Sequence, residues 1–106
     1  MGEREFVIYL DESRRNRYRH QHTWERGEVK EFRIQYEALI SRRWHSVVRY
    51  DSAHGQPHRD TLHPDGTQTK EWYSGYSNAE VLTIGQRDIV EHWPSYRAQY
   101  EKEMRE

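Results

Sequence analysis

Apolar and polar positions alternate with a period of two through the N-terminal part of the chain. That pattern marks strands that turn one side to a core and the other to water. In Glu5–Leu10, Phe6, Ile8 and Leu10 fall on one side and Val7 and Tyr9 on the other. Arg17–Glu25 sets Tyr18, His20, His22 and Trp24 against Arg17, Arg19, Gln21 and Thr23. The clearest run is Lys30–Ile40, with Phe32, Ile34, Tyr36, Ala38 and Ile40 inward and Glu31, Arg33, Gln35 and Glu37 outward, and it reads as the central strand. Trp44–Asp51 follows, then the short polar strand Pro57–Leu62, and Gln68–Tyr73 closes the series. Pro57 suits the start of an edge strand, where a missing N–H is tolerated. Turns separate these runs at Asp11–Asn16, Arg26-Gly27-Glu28, Ser41–Arg43, Ser52–Gln56 and His63-Pro64-Asp65-Gly66. The last is a strong β-turn signal, because Pro presets φ at its second position and Gly follows two residues later.

The period changes after Ser74-Gly75-Tyr76. Ser77-Asn78-Ala79-Glu80 has the form of a capping box, with Ser77 as N-cap and Glu80 reaching back. Leu82, Ile89, Trp93, Tyr96, Tyr100 and Met104 then recur at helical spacing, which predicts a helix over Asn78–Met104. Gly85 costs about 1 kcal/mol inside it, and Pro94 predicts a bend near Trp93-Pro94, with two helices meeting there as the alternative. The expected fold is a single α+β domain over residues 1–106. It consists of an antiparallel β-meander of about six strands (1–73) packed against a C-terminal helix (77–104) kinked near Pro94.

Composition bounds what such a domain can do. Hydrophobic residues make up 33% of the chain and charged residues another 33%, a balance that approaches disorder. The four Trp, eight Tyr and two Phe argue against disorder, being bulky and periodically placed. With no cysteine, a disulfide scaffold and a thiolate zinc site are excluded. The N-terminus is charged and no apolar run suits a leader or a span, so the expectation is a cytoplasmic protein that does not engage a membrane. Net charge is −1, but from Ser13 to Arg59 there are 11 basic against 5 acidic residues, leaving 6 basic and 13 acidic elsewhere. A basic middle suits a polyanion such as RNA; the alternative is a solvated surface with internal charge pairing. Arg17, Arg19, Arg42 and Arg43, with Trp24 and Trp72 as surfaces that stack a base or a partner, are the candidate nucleic-acid or partner contacts. Abundant aromatic residues in a chain with few apolar ones also predict a homodimer that covers one sheet face.

The unusual chemistry sits in the hairpin Arg49–Gly66. Arg49, Tyr50, Asp51, His54, His58, Arg59 and Asp60 fall within twelve residues, and His63 and Asp65 lie in the next turn. One reading is a metal-free acid–base site. His54 and His58 exchange protons, Arg49 and Arg59 hold a phosphate, and Tyr50 or Asp51 orients a histidine. Such a set suffices to cleave RNA through its own 2′-hydroxyl. A second reading takes His54, His58, His63 and Asp60 as a mixed nitrogen and oxygen shell for a metal. The spacing is that of no known zinc motif, so no metal is assigned. A third reading is an exposed polar hairpin, with Asp51 and Asp60 paired to Arg49 and Arg59 and with His54 and His63 serving turns. His20, His22 and His45 read as half-buried sheet residues. No phosphate loop, nucleophile elbow or dinucleotide fingerprint is present, and no cofactor is expected.

The run Val48-Arg49-Tyr50-Asp51-Ser52-Ala53-His54-Gly55, followed by His58-Arg59-Asp60 and His63-Pro64-Asp65-Gly66, resembles small prokaryotic proteins and the toxins of the TumE type. Those toxins place an Arg-Tyr-Asp-Asn-like strand before a histidine-rich loop; here Ser52 stands at the Asn position. The resemblance implies a toxin–antitoxin or defence setting and action against translation, with a cognate antitoxin or other protein as partner. Arg49, Asp51, His54 and His58 are the matching positions. The function expected from all this is an RNA-directed toxin or metal-independent endoribonuclease. The alternative is a non-catalytic protein- or nucleic-acid-binding module within a larger complex.

Overall fold

The protein was examined as a computed structural model, which describes residues 1–106 apart from the side chain of His54. Six strands run in chain order: β1 (Gly2–Tyr9), β2 (Asn16–Glu25), β3 (Glu28–Ile40), β4 (Arg43–Asp51), β5 (His58–Leu62) and β6 (Gln68–Trp72). Each pairs antiparallel with its sequence neighbour, in the sheet order β1-β2-β3-β4-β5-β6. The expected α+β meander is the one observed. Two of its hairpins use two-residue turns, Arg26-Gly27 and Ser41-Arg42, with all four residues at positive φ. That left-handed backbone matches the twist of the flanking strands. A short 3₁₀ turn, Ala53–Gly55, joins β4 to β5.

One helix, α1 (Asn78–Met104), follows β6 and runs on through Pro94 rather than splitting in two. Its capping box is formed: Ser77 Oγ accepts from the Glu80 N–H, and Glu80 accepts from the Ser77 N–H. Pro94 is exposed, so the carbonyl that its missing N–H leaves free can meet water. Among the described residues no helix is long and apolar enough to cross a membrane.

The helix lies across one face of the central strands. Tyr18, Ile34, Tyr36, Val48 and Tyr50 are at most 1% exposed beneath it, together with Val81 and Ile89 of the helix. Burying each such aliphatic side chain contributes about 1.5–3 kcal/mol. Gly85 explains itself here, because a Cβ at that position would stand 2.7 Å from the Tyr50 ring. The intrinsic cost of a helical glycine is accepted for close contact between helix and sheet. Side-chain ties fix the helix at both ends. Asn78 Nδ2 donates to the Val29 and Lys30 carbonyls, and Arg97 donates to the carbonyls of Arg15 and Leu39.

Register decides the rest. Cross-strand partners stand on the same side of a sheet, so the pairings generate rows that cross every strand. One row on the face away from the helix reads Val7, Arg19, Gln35, Arg49, Asp60, Lys70, and the next reads Glu5, Gln21, Arg33, Asp51, His58, Trp72. Apart from Val7 and Trp72 at the two edges, these rows are polar or charged. The sheet therefore has an apolar face covered by α1 and an open face crossed by these polar rows, with Tyr9 and Trp44 beside Arg17 toward one end.

Candidate functional site

The open face carries the most concentrated chemistry of the molecule. Asp51 at the end of β4 and His58 at the start of β5 are register partners, and Asp60 lies one row over on β5. All three are buried, at 3%, 1% and 4% exposure. His58 Nε2 stands 3.0 Å from Asp51 Oδ1 and 3.4 Å from Asp60 Oδ2. Its other ring nitrogen, Nδ1, is 3.1 Å from the Gln56 carbonyl oxygen. A carbonyl only accepts, so Nδ1 carries the hydrogen and donates it. The Ala53 N–H donates to Asp51 Oδ1 at 2.9 Å, which is why the chain turns tightly after β4. Trp72 packs beside the His58 ring, with centroids 5.0 Å apart.

Cations surround the group. Arg33 reaches to 3.4 Å from Asp51 Oδ2, and Lys70 to 3.4 Å from Asp60 Oδ1. The Lys70 approach lacks hydrogen-bond alignment, and Asp60 Oδ1 is left buried without a hydrogen-bond partner. Arg49 does not pair with a carboxylate; it donates to Gln35, and Gln35 donates to Glu37. Glu37 also accepts from Arg17 and Arg19. Burial alone would raise its pKa, but hydrogen bonds from Arg17 and Gln35 and the two guanidinium charges outweigh burial and hold the carboxyl below the usual range. The buried carboxylates thus anchor arginines whose tips remain in water, with the Arg33 side chain 54% and that of Arg19 42% exposed. A depression of about 550 Å³ beside the group is lined by Gln21, Arg33, Asp51, Ser52 and Ala53, among others.

The sequence-derived set divides across the sheet. Arg49, Asp51 and His58 belong to the open face, whereas Tyr50 and Arg59 are register partners on the helix face. Tyr50 therefore orients no histidine: its hydroxyl donates to Asp88 Oδ2 at 2.6 Å. Arg59 lies over the Tyr96 and Tyr50 rings at 5.1 and 5.9 Å, so it does not share a phosphate with Arg49. Nor is the hairpin an exposed one with arginine–aspartate pairs, since Asp51 and Asp60 are buried against His58, Arg33 and Lys70. The four-residue metal shell does not assemble as drawn. His63 bonds Glu103 at 2.7 Å and Thr69 at 2.9 Å, away from His58, and the side chain of His54 lies outside the described residues. Among the described residues, Asp51, His58 and Asp60 are the group whose ligand atoms converge, within 4.8 Å of one another.

The candidate contacts divide in the same way. Arg17, Arg19 and Trp72 lie on the open face, and the Arg17 guanidinium stacks 3.8 Å from the Trp44 ring. Trp24 is on the opposite side of β2, its ring tilted against that of His22 with centroids 5.2 Å apart. Arg42 and Arg43 sit at the β3–β4 turn, remote from the rows. Sequence reading missed Arg33, Gln35 and Lys70, which meet the hairpin only through register.

Along the middle of β2 a second histidine arrangement appears. The Tyr18 hydroxyl and His20 Nδ1 lie 2.6 Å apart, and His20 Nε2 and His22 Nδ1 lie 2.7 Å apart. Burial, then the charges of His22 and Arg4, push the His20 pKa down to about 4. Phe6 stacks on that ring at 4.4 Å. His20 is thus a neutral, packed element of the sheet.

No curated protein and no solved structure matches the chain. The chain matches the domain of unknown function DUF7718 over residues 1–106. With its full length covered, the chain belongs to the DUF7718 family.

Proposed function

We propose that the protein acts on RNA by binding a single strand along the open face of its sheet. The observation that carries this reading is the pair of transverse rows, in which solvent-exposed arginines are held in place by buried carboxylates. Phosphates are drawn to such fixed, exposed guanidinium groups, and Trp72, 48% exposed at the end of one row, offers a stacking surface for a base. The TumE-type resemblance supports reading this activity in a toxin–antitoxin or defence setting. His58 is only 1% exposed, so the supported role is binding first, with cleavage as a separate question.

Fluorescence anisotropy with labelled single-stranded RNA, at low and at physiological salt, tests the proposal. Affinity should fall with salt, and the double variant Arg19→Glu/Arg33→Glu should weaken binding at least about tenfold. No binding by the native protein at low salt would end the reading. Recovery of the labelled strand with and without chelator, in the same samples, tests cleavage; shortened RNA in the presence of chelator would restore the metal-independent endoribonuclease.

A further inference from the structure

The Asp51–His58–Asp60 group has an imbalance that its neighbours do not resolve. Nδ1 of His58 is committed as a donor to the Gln56 carbonyl. In the neutral ring Nε2 is then a bare lone pair, and it points at Asp51 Oδ1 and Asp60 Oδ2, which are acceptors too. Three acceptor atoms face one another in a place where His58 is 1% exposed. A single proton on Nε2 serves one carboxylate well, whereas one cation between the three serves them all. Asp60 adds an independent sign: it is 4% exposed, and its second oxygen, Oδ1, has the Lys70 ammonium 3.4 Å away but no hydrogen-bond partner. Buried carboxylates are normally satisfied on both oxygens.

We infer that Asp51, His58 and Asp60 form a binding site for a divalent first-row transition-metal ion. The separations suit it. Ligand atoms about 2.1 Å from one ion stand about 3.0 Å apart at right angles and about 3.4 Å apart at tetrahedral angles, against 3.0 and 3.4 Å found here. The surroundings suit it as well. A metal-binding histidine usually donates its other N–H to a carbonyl or carboxylate, as His58 does to Gln56. Asp51 is steadied by the Ala53 N–H and by Arg33. One imidazole nitrogen with two carboxylates favours Zn²⁺, Co²⁺ or Mn²⁺ over Mg²⁺ or Ca²⁺, which prefer oxygen alone. Three protein ligands leave a coordination position open, and the depression lined by Asp51 and Arg33 lies beside the group. This site goes beyond RNA binding and does not depend on it.

Titrating the purified protein with Co²⁺ and with Zn²⁺, in the absence of RNA, provides the test. One equivalent of Co²⁺ should bind and give visible absorption bands, with Zn²⁺ displacing it. Asp60→Asn and His58→Gln should lose that signal, while His63→Gln and His22→Asn, which alter the other histidine sites, should keep it. Both ligand variants change buried residues, so circular dichroism checks that they fold. A measurement on the native protein stands beside them: in imidazole ¹⁵N spectra, Zn²⁺ should shift His58 Nε2 before any other ring nitrogen. No binding at tenfold metal excess, a first shift at another histidine, or undiminished binding by folded Asp60→Asn would each overturn the site. Metal binding without RNA binding would leave this inference standing and remove only the proposed function.

Discussion

β4 and β5 place two buried polar groups back to back. On the helix face, Asp88 accepts from the Tyr50 hydroxyl at 2.6 Å and from the Tyr96 hydroxyl at 2.7 and 2.8 Å, and His92 Nδ1 lies 3.0 Å away. Arg59 lies over the two tyrosine rings. On the open face, Asp51 and Asp60 converge on His58 with no element layered over them. The open-face carboxylates are the more deeply buried, at 5% side-chain exposure against 18% for Asp88. Tyr50 and Arg59 alternate with Asp51, His58 and Asp60 along the same two strands, so sequence position does not separate the groups. Hydrogen-bond balance does. Under the helix, each tyrosine hydroxyl faces the Asp88 carboxylate, donor against acceptor, and the buried atom left without a partner is a donor, Arg59 Nε, lying over the aromatic rings. Burial and then the hydrogen bonds to Asp88 raise the Tyr50 and Tyr96 pKa values, which keeps those hydroxyls as donors. On the open face, two carboxylates converge on one imidazole nitrogen, which in the neutral ring is an acceptor too. Donors paired with an acceptor hold a fold together; converging acceptors beside open space suit a cation.

That contrast can be broken most sharply at Asp88. Asp88→Ala leaves two buried hydroxyls without their acceptor and should cost about 3 kcal/mol, counting hydrogen bonds to a charged group at about 1.5 kcal/mol each; urea denaturation reads it directly. A loss below about 1 kcal/mol would mean that the helix-side group contributes little to stability. Next comes Gly85→Ala. Substitution of a helical glycine by alanine normally gains about 1 kcal/mol, but the added methyl would meet Tyr50 and Ile34 at 2.7 and 2.9 Å. A net loss of about 2 kcal/mol is expected, within the usual cost of overpacking, and a more stable variant would show that helix and sheet have room between them. Smaller per pH unit, though spread over a wide window, is the effect of pH through His20. Its folded pKa is about 4, against 6.5 for the unconstrained side chain. Between these values the unfolded chain binds a proton that the folded one refuses. The His20 contribution is therefore complete above pH 6.5 and shrinks as pH falls toward 4, with a slope of at most about 1.4 kcal/mol per pH unit. His20→Asn should flatten the pH–stability curve over that window. The smallest effect belongs to the open face: without metal, Asp60→Asn should change stability by less than about 1 kcal/mol, because it removes one of two like charges facing the same imidazole. A large loss there would place both groups in the same structural class.

The fold was readable from the sequence because its signals are local. Alternation in Lys30–Ile40 and the Ser77–Glu80 capping box each specify their element within a few residues. Asp51 and His58 stood out by composition, and alternation alone sets Arg59 opposite His58. The remainder of the site was hidden because it depends on register. Arg33 meets Asp51 and Lys70 meets Asp60 only after two hairpins close in the right phase; the two-residue turn Ser41-Arg42 alone would set Arg33 opposite Tyr50, and a bulge between Tyr36 and Glu37 shifts the register by one to bring Asp51 there. Gly85 looked like a defect until Tyr50 was seen beneath it.

The neighbour-to-neighbour strand order also governs how the molecule folds. Every pairing closes a short loop, so zipping is local and should be fast. The site, however, assembles one side chain per strand and is therefore sensitive to phase. A one-residue slip between β4 and β5 would turn Arg59 to the open face and His58 toward the helix. Such a chain could keep much of its hydrogen-bonded ladder and still lose its chemistry. Asp51, held to the Ala53 N–H at the start of the connection, acts as the stop that fixes where β5 begins.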